Sequence, residues 1–112
     1  MFGFRHAIRG ILIMFRKERN FKVQFLIFSC VAVLSLILKI NSGDWVKIIL
    51  TSALVLSLET INSSIEKLCD FVNLEENPKI KDIKDISAGA VLIASIFAVV
   101  VGVLVLFPYL IR

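Results

Sequence analysis

The chain has 112 residues, 58% of them hydrophobic and 20% charged, with a formal net charge of +4. At a mean hydropathy of +0.90 it is too apolar for a soluble domain of this length, and its apolar residues fall in three blocks rather than on alternating faces. The composition predicts a single small all-α membrane domain over 1–112. The positive charge calls for no nucleic-acid partner, because membrane topology and anionic headgroups account for it.

The first twenty residues predict a helix lying on the membrane, over about 2–19. Phe4, Ile8, Ile11 and Phe15 recur at helical spacing, with Arg5, Arg9 and Arg16 forming a neighbouring basic stripe. A simple topological anchor is the competing reading. Glu18, between Lys17 and Arg19, would by default be one half of a surface ion pair.

Three spans follow, over about 21–40, 45–65 and 88–111, each near the length a helix needs to cross the hydrocarbon core. The first begins too far along the chain, behind too many charges, to be a cleaved signal, so it is expected to be retained. The segment before it carries Arg5, Arg9, Arg16, Lys17, Arg19 and Lys22. The second loop carries Lys67, Lys79, Lys81 and Lys84, whereas the first turn has only Lys39 and Lys47. Excess positive charge marks the cytoplasmic side, so the N-terminus and the second loop are expected inside, with Trp45 and Tyr109 at the outer interface. Cys30 inside a span and Cys69 on the cytoplasmic side do not predict a disulfide.

The second span contains the most informative residue. Glu59 is a carboxylate within an apolar run, where an acid costs a few kcal/mol and marks a functional site by default. Asn62, Glu66 and Asp70 follow at intervals of three, four and four, which puts all four on one helical stripe. The stripe leads into a charged water-facing loop, Glu66 to Asp85, with a turn at Asn77-Pro78. Taken singly, Asn62 could be interhelical glue, Glu66 and Asp70 a solvated helix end, and Lys84-Asp85 the flank of the third span.

Together these groups point to phosphoryl transfer. Glu18, Glu66 and Asp70 near the cytoplasmic interface, with Lys84, Asp85 and the basic N-terminus, suit Mg²⁺ and the phosphates it carries. Glu59, a turn or two deeper, would meet the hydroxyl of a lipid lying in the membrane and act as general base. The glycines do not form a Walker loop or a kinase glycine-rich loop, and His6 with two separated cysteines gives no zinc site or Cys-His nucleophile.

The run Glu59-Thr60-Ile61-Asn62-Ser63-Ser64-Ile65-Glu66-Lys67-Leu68-Cys69-Asp70 resembles the E-x-x-N-[ST]-[AS]-I-E-x-x-x-D signature of the small prokaryotic diacylglycerol kinases. Lys84-Asp85-Ile86-Ser87-Ala88-Gly89-Ala90-Val91 resembles their K-D-x-[AGS]-[AS]-[AG]-A-V segment, and Glu18-Arg19-Asn20 the E-R-N element of the undecaprenol kinase branch. The resemblance implies Glu59 as catalytic base, Glu18 and Glu66 as ligands of the Mg²⁺ that accompanies ATP, and Asn62 as a polar active-site residue. It also implies nucleotide contacts from Glu18, Glu66, Asp70, Glu75, Asn77, Lys84 and Asp85. Asn77 stands where many members have His, and Asp82 where they have a basic or small residue. The implied protein is a homotrimeric ATP-dependent kinase of the bacterial inner or plasma membrane, acting on diacylglycerol or undecaprenol. The competing reading is a non-catalytic membrane subunit whose polar stripe serves helix assembly.

Overall fold

The computed structural model describes residues 2–72, 75 and 77–112. It contains four helices: α1 (Phe2–Lys17), α2 (Arg19–Leu38), α3 (Ser42–Val72) and α4 (Pro78–Leu110). The last three are long and apolar enough to cross a membrane. At about 1.5 Å per residue, α2 matches the roughly 30 Å hydrocarbon core, whereas α3 and α4 exceed it by several turns. Those extra turns carry the charges. The segment from Glu66 to Asp85, expected as a loop, is instead mostly helical: the stripe stays on α3 as far as Asp70, and Lys84 and Asp85 ride on the first turns of α4.

Each boundary has a local cause. Glu18, in an extended conformation (φ −105°, ψ 106°), separates α1 from α2, and Phe15 packs edge-on against both Phe21 and Phe25 at 4.9 Å to fasten the two helices. α2 ends at Lys39, whose left-handed backbone (φ 55°, ψ 52°) lets its N–H reach the Leu36 carbonyl while that of Ile40 reaches Ser35. Asn41 Oδ1 accepts the Asp44 N–H at 2.8 Å to open α3. Asn77 does the same for α4, accepting the Lys79 N–H at 2.9 Å ahead of Pro78 in the first turn.

α3 lies between α2 and α4 and packs most extensively on α4. One core forms at the α2–α3 turn, where Ile40, Ile48, Val105 and Leu106 are buried beneath Trp45 and Tyr109. Tyr109 donates to Asp44 Oδ2 at 2.7 Å and accepts the Asn41 N–H, and Arg112 stacks on its ring. The two aromatic residues expected at one interface therefore do sit at one end of the bundle. The hydroxyls of Ser29, Ser35, Thr51, Ser52 and Thr60 bond back to carbonyls of their own helix, which satisfies them without a partner segment. Along α1, Phe15 turns toward α2, while Phe4, Ile8 and Ile11 keep their apolar stripe exposed.

Candidate active site

The α3 stripe descends from burial to water. Glu59 is 4% exposed and Asn62 7% exposed, on the same buried face as Val55, whereas Glu66 and Asp70 lie at the exposed end. A carboxyl group at the depth of Glu59 needs hydrogen-bond partners, and it has them. Gln24 Nε2, on α2, donates to Glu59 Oε1 at 2.9 Å, and Asn62 Nδ2 donates to Glu59 Oε2 at 3.4 Å. These contacts offset part of the few kcal/mol that placing an acid in a span costs. The same Asn62 amide donates to Glu66 Oε1 at 3.0 Å, linking the buried acid to the one at the water-facing end.

Around this line the charged groups pair across helices. Glu18 is ion-paired with Lys67, which brings the start of α2 alongside the turn of α3 that carries Glu66. Asp70 pairs with Lys84, joining the ends of α3 and α4, and Asp85 pairs with Lys81 one turn earlier on its own helix at 2.6 Å. Thus Glu59, Asn62 and Glu66 form one hydrogen-bonded chain, with Glu18, Asp70 and Lys84 at its mouth. Asp85 turns to Lys81 instead. Asn77 uses its side-chain oxygen to cap α4, and Glu75 lies at a bend in the link between α3 and α4.

The donor set bears on the expected metal. Among the described residues no three His, Cys, Asp or Glu side chains stand close enough to share an ion. From the described residues a cation here would draw at most two such ligands. That fits Mg²⁺, which keeps waters and is held by one or two carboxylates plus substrate phosphates rather than by an all-protein cage.

Two residues of the site escaped the sequence reading. Gln24 sits at the start of the first span, where a polar side chain passes for an interfacial residue; its amide in an apolar segment was the available signal. Lys67 counted only toward the charge of the loop, and nothing in its spacing marks it as the partner of Glu18.

The pattern of the prokaryotic diacylglycerol kinase family matches residues 5–106. The chain is 32% identical over 108 residues to the undecaprenol kinase of Bacillus subtilis (strain 168), covering 96% of this chain and 88% of that protein. It is 35% identical over 107 residues to a diacylglycerol kinase of Synechocystis, covering 95% of this chain but only 61% of that longer protein. A third relative, a diacylglycerol kinase of Pseudomonas aeruginosa, is 30% identical over 89 residues, which is 80% of this chain and 72% of that protein. A lipid kinase is thereby favoured over a non-catalytic subunit, and the chain belongs to the prokaryotic diacylglycerol kinase family.

Proposed function

We propose that this lipid kinase transfers the γ-phosphoryl group of ATP to the hydroxyl of a lipid embedded in the inner membrane, with Glu59 as general base. The observation that carries the reading is the buried Glu59 carboxylate, held by Gln24 and Asn62 and connected through Asn62 to Glu66. The lipid hydroxyl gives its proton to a Glu59 oxygen as its own oxygen attacks the γ-phosphorus, and the bond to the bridging oxygen of ADP breaks. Amide donors hold the carboxylate as an acceptor at the moment it is needed.

Glu18 and Glu66 are the residues that would hold Mg²⁺. When bound, that ion neutralises charge on the phosphates. Asp70, Glu75, Asn77, Lys84 and Asp85 are proposed as nucleotide contacts, Lys84 by its charge; Asn77 and Asp85 would have to leave their present hydrogen bonds to take part. The N-terminus and the link between α3 and α4 face the cytoplasm, in line with the distribution of Lys and Arg. A homo-oligomer, as a trimer, would cover part of the apolar surface that the single chain leaves exposed, such as Leu26, Ile37 and Leu104.

Diacylglycerol and undecaprenol are the two acceptors to consider, and the Glu18-Arg19-Asn20 element favours undecaprenol. Purified protein in detergent with radiolabelled ATP and each lipid in turn tests this directly. Label in neither lipid, from an assembled protein, would defeat the proposal.

A further inference from the structure

The amides that hold Glu59 have an unused half. Gln24 Oε1 and Asn62 Oδ1 are both buried and accept no hydrogen bond from the described residues, although each belongs to a side chain whose N–H donates to the same carboxylate. Buried carbonyls without a donor are uncommon and unfavourable. Two of them around one acid form a pattern that simple helix-to-helix bonding does not require.

A primary amide is a donor on one side and an acceptor on the other, and a half-turn of its last torsion exchanges them. A carboxylate is an acceptor at both oxygens, while a carboxylic acid is a donor at one. We propose that Gln24 is a positioning residue for the base: its N–H fixes the Glu59 carboxylate before transfer, and its carbonyl receives the Glu59 O–H after it. The proposal rests on Glu59 being the base. The proton that Glu59 takes is the one leaving the lipid hydroxyl as its oxygen bonds to phosphorus. After ADP departs, the proton passes to solvent water and the amide turns back. Asn62 is less free to do this, because its N–H also serves Glu66 at 3.0 Å. Gln24 makes no other hydrogen bond among the described residues, so it is the amide that can turn.

The test uses the full chain in detergent with whichever lipid the wild type phosphorylates. Gln24→Leu keeps roughly the volume and removes both donor and acceptor; kcat should fall on the order of 10-fold, with the KM for ATP and the crosslinked oligomer unchanged. Gln24→His retains one donor and one acceptor nitrogen, and should recover much of the loss. In a Glu59→Gln background, Gln24→Leu should change the residual rate no further, because a residue acting only through the base has nothing left to position. A near-normal kcat for Gln24→Leu, or the same fold-loss in both backgrounds, overturns the positioning role. Loss of the oligomer in Gln24→Leu, with kcat falling only in step, also overturns it. A fully active Glu59→Gln enzyme overturns the base assignment and this proposal with it. An inactive Glu59→Gln beside a fully active Gln24→Leu overturns the positioning role alone.

Discussion

Lys84 on α4 is ion-paired with Asp70 on α3 across the link of residues 73–77, so the end of the acidic stripe and the start of the last helix share one charge pair. Their side chains are 36% and 64% exposed, and exposed pairs contribute about 0–1 kcal/mol. Stability is therefore a weak reason for the pair. The proposed role at the mouth of a nucleotide site is a stronger one. Lys84→Gln should raise the KM for ATP on the order of 10-fold while shifting the thermal midpoint by only a few degrees. The reversed pair, Asp70→Lys with Lys84→Asp, restores attraction between the helices and should not restore ATP affinity. Normal ATP affinity in the reversed pair would show that the residues serve packing.

A second expectation concerns the metal. Glu18→Gln and Glu66→Gln each remove one negative charge with little change of shape, and each should remove most turnover while the oligomer stays assembled. The two substitutions differ in what else they disturb. Glu18→Gln weakens the pair with Lys67, whereas Glu66→Gln keeps an oxygen for Asn62 to donate to. Raising Mg²⁺ should recover activity partly in both if they are ligands. Activity lost only together with assembly would count against that role.

The end of α2 offers a check away from the site. Lys39 adopts the left-handed conformation that costs a non-glycine residue about 1 kcal/mol, and glycine occupies it without that penalty. Lys39→Gly should raise stability by roughly 0.5–1 kcal/mol, read as a higher thermal midpoint in detergent, with kcat unchanged. An unchanged or lower midpoint would show that the lysine side chain contributes at the membrane surface what the backbone loses.

How far the sequence reveals this molecule depends on the range of the forces involved. Spans are composition over some twenty residues, so the three apolar helices are legible from hydropathy alone. The stripe from Glu59 to Asp70 is legible because it lies within one helix, where spacing sets the face. The segment from Glu66 to Asp85 misleads because charge resembles a loop, yet Pro78 behind a capping Asn77 starts a helix that charged residues can continue in water. The partners of the stripe are hidden for a different reason. Gln24 meets Glu59 across 35 positions and Lys67 meets Glu18 across 49, and no local periodicity encodes which turns of two helices come level.

The sharpest expectation concerns Glu59 itself, and the structure says why its substitution is informative. Both of its oxygens accept from amides, so Glu59→Gln would set an NH₂ group against one of those donors. In most buried sites that clash would damage packing. Here Gln24 Oε1 and Asn62 Oδ1 both lack a donor among the described residues, so one neighbouring amide can turn and accept the new N–H. The fold should therefore tolerate the amide, leaving the thermal midpoint and the oligomer close to wild type. What the amide lacks is basicity. If Glu59 takes the proton of the lipid hydroxyl, Glu59→Gln should lose on the order of 10²-fold or more in kcat with little change in ATP affinity. If Glu59 only ties α3 to α2, the turned amide serves equally well and activity survives. Near-normal phosphorylation of lipid by a folded Glu59→Gln protein would remove Glu59 as the base, and with it the mechanism proposed for this kinase.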